Sequence, residues 1–366
     1  MKYIISGMAP GFGGVGKLLE YLNDTVDKNE FTLIYPLIFT FKNRYINGIL
    51  NRISKVFFLI LNVYFLKNKH LILIHHQSLG CKITKKLIEN NKIDFYIMDN
   101  SFFCIKSYNY IKGANKECLE CVNTNFKPAI KNNCNSFPFK NKVKENIDFL
   151  IFLKENSRDI NFYTLSHSNA DLLKMHFGDV YVKPIYFLTN DILKDKLESE
   201  SLVSQYDKGF DIVYHGAEID AKGFQYVQEL AKSLPQYKVL IPTNKCKEDK
   251  LSNLTCKALT WETGLREEVI NAKLVLTPSM WSNTPEAATL KSFLFNGSVG
   301  MIKNKYGFSN DVDDESYLCL SANKKNDVVM IDNFLKEERY KIVAILGKKY
   351  IAKYIEMSKQ LMKELF

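Results

Sequence analysis

The chain has no long apolar run. Its most hydrophobic stretch, VFFLILNVYFL at 56–66, falls far short of the roughly 20 residues a helix needs to cross a bilayer. It is bracketed by Lys55 and Lys67, with Arg44, Arg52 and Lys69 nearby. It reads either as a buried helix or as a surface helix resting on anionic lipid. No secretory leader is visible either: MKYIISGMAP runs into glycine-rich sequence rather than a small-residue cleavage site. The expected compartment is therefore the cytoplasm, and the eight cysteines do not read as a disulfide framework. No simple internal repeat is visible. No recognised nucleic-acid motif accompanies the basic residues, which argues against a nucleic-acid partner.

A further absence is a single hydroxyl. In GFGGVGKL, residues 11–18, Gly11, Gly16 and Lys17 have the spacing of a nucleotide-hydrolase phosphate loop, but Leu18 stands where Ser or Thr would hold magnesium. This counts against a P-loop nucleotide hydrolase. The loop can still bind phosphate through backbone N–H groups at a helix start.

The 366 residues, 46% hydrophobic and 25% charged, suffice for two ordinary domains. The formal charge of +10 is uneven. Residues 1–190 hold 25 Lys+Arg against 15 Asp+Glu, and the remainder holds 25 of each. The basic first half suits an anionic surface or acceptor, or else is a lysine-rich solvated face.

Strands alternate with helices, which predicts parallel α/β sheets. KYIISG (2–7), FTLIYPLIF (31–39), LILIHH (71–76) and DFYIMDN (94–100) read as strands, and the apolar spacing of Val15, Leu18, Leu19 and Leu22 reads as a helix. Residues 104–145, polar and cysteine-bearing, read as an insertion. The pattern resumes in NFYTLSHSNADLLKMHFG, with Ser168 or Asn169 as a helix cap. Residues 194–209 read as a linker or surface helix. A second α/β unit starts at FDIVYHG (210–216), and the last 35 or so residues read as helix. The expected boundaries are 1–190 for the first domain and 206–345 for the second, with 346–366 packing back towards the first. Ligands gather at the carboxyl ends of such strands, where Gly7 to Gly14, His75, His76 and Asp99 fall.

HGAEIDAKG (215–223) and LVLTPSMWSNTPEAATLKSFLFNG (274–297) carry a resemblance. The chain resembles GT-B glycosyltransferases of family 4, retaining enzymes that use nucleotide sugars. The resemblance covers most of the chain and is best over about 211–297. It implies two Rossmann-like domains facing a central cleft, a nucleotide-sugar donor, and no cofactor for catalysis. Negative charge building on the departing diphosphate would be met by cations and N–H groups. Lys222 matches the family's diphosphate lysine. Gly14, beside Gly13, matches the glycine whose backbone approaches the same phosphates, close approach being open to a residue without Cβ. Gly216 and Ser279 fall in the donor-binding motifs. Glu286 matches the glutamate that contacts the donor sugar, although a helix-start acid is its ordinary role.

The chain departs from the family where Ala217 replaces an arginine and Leu294 stands in place of a second glutamate. Arg266 or Lys291 could supply the missing cation. Asp99 falls in a loop where relatives carry His-Asp, with Met98 in place of the histidine, and is expected to bind the acceptor or act as base; His76 is a further catalytic candidate. The acceptor implied is a glycan, lipid-linked, in bacterial surface polysaccharide assembly (O-antigen, capsule or lipopolysaccharide) on the inner face of the cytoplasmic membrane. A catalytically degenerate protein that only binds glycan or partners is the alternative. The set Cys104, Cys118, Cys121 and Cys134, with one C-x2-C, suits a structural zinc or an iron–sulfur cluster, or else unliganded thiols.

Overall fold

Short β-rich runs bounded by turns make the strands of this chain, and apolar residues at helical spacing make the crossovers between them. The computed structural model describes residues 1–366 except 12, 42, 112, 114, 115, 137–141, 203, 207, 208 and 246–250, together with the side chains of 44 and 62–65. In chain order the first elements are β1 (Lys2–Ile5), α1 (Gly13–Thr25), β2 (Phe31–Ile34), α2 (Arg44–Phe65), β3 (His70–Ile74), α3 (Cys81–Asn90) and β4 (Lys92–Ile97). Then come an antiparallel pair, β5 (Tyr110–Ile111) and β6 (Lys116–Glu117), and α4 (Lys127–Lys131), α5 (Val143–Glu155), β7 (Ile160–Thr164), α6 (His167–Phe177), β8 (Val182–Pro184) and α7 (Asn190–Ser199). The remainder is β9 (Ile212–Tyr214), α8 (Phe224–Ser233), β10 (Val239–Ile241), β11 (Leu254–Cys256), α9 (Leu265–Asn271), β12 (Leu274–Leu276), α10 (Ala287–Phe295), β13 (Val299–Ile302), β14 (Leu318–Leu320), α11 (Lys324–Lys336) and α12 (Tyr340–Leu365).

The chain forms two units. The first comprises residues 1–108, 119–190 and 360–366, and the second 109–118 and 191–359. In the first unit six parallel strands run in the order β2-β1-β3-β4-β7-β8, with Lys2 opposite both Phe31 and His70. Four successive residues of β3, Leu71 to Ile74, are fully buried, as expected of a central parallel strand covered on both faces. Leu18, Leu19 and Leu22 of α1 join this core. Phe366 lies in the same unit, its ring 6.4 Å from Phe31 and 6.2 Å from Tyr96. Two expectations shift here. The strand read over 31–39 stops at Ile34, just ahead of Pro36, which has no N–H for the ladder. The cap of α6 is Ser166, whose Oγ accepts from the Asn169 N–H at 3.1 Å; Ser168 and Asn169 lie inside the helix.

The second unit is again a sheet of six parallel strands, ordered β11-β10-β9-β12-β13-β14. This is the order of the dinucleotide-binding α/β fold. Ile212, Val213, Leu274, Val275, Leu276 and Val299 form its buried centre. Residues 194–199, read as linker or surface helix, are the body of α7. The expected insertion does not stay with one unit: its segment 109–118 belongs to the second.

Each sheet has a point where its connections reverse direction, between β1 and β3 in the first and between β9 and β12 in the second. Loops diverge there and leave a crevice at the strand ends.

Candidate functional site

In the second unit the loops after β9 and β12 meet at the reversal point. The loop after β9 is shaped by Tyr214, whose hydroxyl donates to the Ala217 carbonyl at 2.7 Å and the Lys222 carbonyl at 3.1 Å. Gly223 closes it with φ +80, and a Cβ there would run into the carbonyl oxygen of Pro278 and lie 2.7 Å from its Cγ. The N–H of Met280 donates to the Ala221 carbonyl at 2.8 Å. The Lys-Gly and Pro-Ser pieces, far apart in sequence, are thus one packed object, and only glycine fits at the contact.

This packing brings the predicted donor residues together. Lys222 Nζ lies 2.8 Å from Glu286 Oε2, with 20% and 12% of the two side chains exposed. Ser279 Oγ donates to the other carboxylate oxygen, Oε1, at 3.0 Å. Asn304 Nδ2 holds the Ser279 and Trp281 carbonyls, both at 2.8 Å. The result is an ammonium and a hydroxyl fixed on one carboxylate at the carboxyl ends of β9 and β12. Gly216 sits at the base of the same loop, and a Cβ there would meet the Tyr214 ring at 2.7 Å.

Below this trio lies a buried layer. The His215 ring stacks on Trp261 at 5.1 Å and shares a hydrogen bond with Ser292 Oγ at 2.9 Å. Burial pushes its imidazole down to about 3, and the ammonium groups of Lys291 and Lys222 push the same way, so it is neutral at physiological pH. Of the two substitute cations, Lys291 pairs with Asp195 at 3.0 Å and lies 4.8 Å from the centre of the Trp261 ring. Arg266 pairs with Glu198 at 2.7 Å and stacks on Phe295. Both are held by carboxylates of α7.

Sequence reasoning missed one part of this region. The hairpin β5–β6 belongs with the second unit. Asn109 donates from Nδ2 to Ser282 Oγ at 2.9 Å and accepts from the Ser282 N–H at 3.1 Å, while Glu117 accepts from Ser282 Oγ and from the Lys305 N–H. A cavity of about 260 Å³ results, lined by Tyr110, Asp220, Gln225, Glu229 and Met280 among others. The only signal in the sequence was that this stretch interrupts the strand–helix rhythm.

In the first unit Gly13 starts α1 with φ +78, and Gly14 follows it in the first turn. A Cβ at Gly13 would meet nothing within 4 Å, and one at Gly14 only Phe187, at 3.9 Å. The surroundings of Gly14 therefore do not demand glycine, whereas the φ of +78 at Gly13 favours glycine whatever the space around it. Lys17 pairs with Glu20 one turn along the same helix at 2.9 Å, where a phosphate-loop lysine would reach back over its own loop.

At the end of β3 the two histidines part. His76 turns inward, its ring 5.1 Å from Phe95 and 5.2 Å from Phe149. It is 5% exposed, and burial above all, with His75 adding to it, drives its pKa down to about 3. The residue expected to be catalytic is a neutral core histidine. His75 is left-handed, with φ 56. Burial lowers its pKa, Asp99 opposes that shift and Lys55 reinforces it, so these three groups lie within electrostatic reach of one another. Asp99 also accepts from the Ser101 N–H at 2.9 Å.

Among the described residues no group of three or more His, Cys, Asp or Glu side chains is placed to hold a metal ion. Cys104, Cys118, Cys121 and Cys134 are not joined in disulfides. The Cys104 N–H bonds to Asn100, that of Cys118 to Asn109, and that of Cys134 to Ala129 at the end of α4. Elsewhere, Cys256 is disulfide-bonded.

No family model matches the chain, and no curated protein does. Solved structures do match. HepE of Anabaena in complex with UDP-glucose superposes with a TM-score of 0.57, at 9% identity, over 100% of this chain and 99% of that one. Sucrose-phosphate synthase of Thermosynechococcus elongatus gives 0.60, at 12% identity, over 100% and 97%. TarM of S. aureus, in complex with Fondaparinux, alpha-GlcNAc-glycerol and UDP, gives 0.51, at 15% identity and over 84% of this chain, which spans only 58% of TarM. At these identities the likeness is one of fold: two Rossmann-like units of the GT-B glycosyltransferase kind.

Proposed function

We propose that this protein is a retaining glycosyltransferase, of family 4 type, that moves a sugar from a nucleotide-sugar donor to a glycan acceptor. The observation that carries the reading is the Lys222–Glu286–Ser279 trio at the reversal point of the second sheet. Loss of a nucleoside diphosphate puts negative charge on its β-phosphate, and a fixed ammonium such as that of Lys222 stabilises this charge more in the transition state than in the bound donor. Glu286, already accepting from a lysine and a serine, is oriented to accept hydrogen bonds from sugar hydroxyls. In a retaining transfer the departing phosphate can take the acceptor's proton, so the protein base has little to do. The UDP-glucose bound by HepE and the UDP-2-fluoro glucose bound by the trehalose-6-phosphate protein of E. coli support a UDP-sugar as donor.

The acceptor side is assigned to the first unit, with Asp99 and its neighbour His75 as the polar groups that would meet it; the backbone N–H groups at Gly13 and Gly14 are the phosphate-binding groups of that unit. The basic character of that unit supports an acceptor carrying anionic charge, a glycan on a lipid diphosphate, and hence a role in surface polysaccharide assembly at the cytoplasmic face of a membrane.

Titration of UDP-glucose into wild type and Lys222→Ala tests the site. Loss of a charged hydrogen bond to phosphate is expected to weaken binding by about tenfold to a hundredfold, with folding unchanged. Equal affinity in the two proteins overturns it. Tight binding with no turnover across a panel of acceptors assigns the chain to the catalytically degenerate alternative.

A further inference from the structure

Helix α2 is inside out. Tyr45, Ile46, Ile49, Ile53, Val56, Phe57, Ile60 and Leu61 recur at helical spacing and are all exposed, Tyr45 at 86% and Phe57 at 61%. The polar side chains of the helix bond the backbone of the segment before it. Asn51 accepts from the Phe39 N–H at 2.7 Å and donates to its carbonyl at 3.3 Å. Asn47 makes the same pair of bonds with Phe41, and Ser54 Oγ donates to the Leu37 carbonyl at 2.8 Å. These side chains pin an extended segment along the helix, and its Leu37, Ile38 and Phe41 are exposed as well. Phe58, 8% exposed, anchors α2 from below. An amphipathic helix normally buries its apolar stripe in its own core. A contiguous apolar face of this size marks an interaction site.

The charge around the face identifies the occupant. From residue 31 to residue 88 there is no Asp or Glu, while Lys42, Arg44, Arg52, Lys55, Lys67, Lys69, Lys82, Lys85 and Lys86 all occur. Arg52, Lys67 and Lys69 are exposed, and so are Lys82, Lys85 and Lys86 of α3, the helix that packs beside α2. No helix among the described residues is long and apolar enough to cross a membrane. A 22-residue helix is about 33 Å long and can lie in the interfacial plane with its apolar face sunk among the acyl chains and basic residues at the headgroups.

We infer that α2 with segment 37–41 is an in-plane anchor by which this chain docks on an anionic lipid bilayer. This deepens the membrane placement proposed above and is independent of the transfer chemistry. It also gives that placement a geometry. Lys55 of α2 lies within electrostatic reach of His75, as does Asp99, so the anchor adjoins the polar groups assigned to the acceptor. A lipid-borne acceptor would then reach them from the bilayer the helix rests on.

The test is cosedimentation of the full chain with vesicles of equimolar phosphatidylglycerol and phosphatidylcholine, against phosphatidylcholine alone. Wild type is expected to bind the anionic vesicles at least about tenfold more tightly and to be released by salt. The paired change Ile53→Asp and Phe57→Asp should reduce that binding by about tenfold or more, and Lys85→Glu with Lys86→Glu should reduce the anionic preference. Should the aspartate pair fail to fold, Ile53→Trp supplies a second reading, a blue-shifted emission on anionic vesicles that brominated lipid quenches. Wild type remaining in the supernatant with both vesicle types overturns the inference. So does a dimer in sedimentation that the aspartate pair makes monomeric, because the face then belongs to a second copy. UDP-glucose titration without vesicles is run in parallel. Its failure strikes the donor site and leaves the vesicle result standing, and the converse holds too.

Discussion

Gly223 shows how one residue couples two distant motifs. Its φ of +80 and its contact with Pro278 set the position of Lys222 against the loop that carries Ser279 and Glu286. Gly223→Ala would both strain the backbone and push the loops apart. We expect it to destabilise the second unit by about 2 kcal/mol and to weaken donor binding along with stability, because Lys222 moves with the loop. Calorimetry and UDP-glucose titration of the variant check this; a melting temperature equal to wild type would mean that the two loops are not locked together. Lys222, Ser279 and Glu286 stood out in the sequence only through the family resemblance of 215–223 and 274–297; what the sequence could not show is the packed contact that brings those two segments together. The two histidines after β3 were not separable. Strand alternation sends one of two neighbours inward, but the left-handed turn at His75 decides which, and no local signal announces a left-handed histidine.

At the scale of elements, the same limit applies to whole segments. VFFLILNVYFL was readable as a helix, but its apolar composition cannot say which way it faces. What decides is that Phe58 alone of the described apolar side chains of α2 is buried, while Asn47, Asn51 and Ser54 take backbone partners in residues 37–41. The hairpin β5–β6 was hidden for a related reason: its strands span two residues each, too few for a period. It is held by named side chains instead. Asn109 is fully buried and makes two bonds to Ser282. Asn109→Ala leaves the Ser282 N–H without that acceptor in a buried setting, which costs about 1–3 kcal/mol. The 279–286 loop should loosen with it. The expected readout is faster amide exchange through 280–284 together with weaker UDP-glucose binding. Unchanged exchange there would show that the hairpin does not brace the loop.

For the whole molecule, the two sheets imply two cores, and these should respond differently to acid. Burial holds His76 and His176 of the first unit at about 3, with His75 adding to the shift at His76 and Lys154 adding to it at His176. His215 of the second unit is held at about 3 by burial, Lys291 and Lys222. An unfolded histidine titrates near 6.5. Between 6.5 and 3 the unfolded chain therefore binds protons that the native units do not, so the stability these residues contribute is complete above 6.5 and is lost as pH falls. Each histidine contributes a slope of up to about 1.4 kcal/mol per pH unit, two in the first unit and one in the second. His75, also lowered by burial, adds to the first. From pH 7 to 5.5, above the range of ordinary carboxylates, the unfolding transition of the first unit should fall further than that of the second in calorimetry of the full chain. His76→Phe, which places a ring of similar size between Phe95 and Phe149, should narrow the difference. Transitions that move in parallel, in wild type and variant alike, would mean that these rings are hydrated and protonated in the native state.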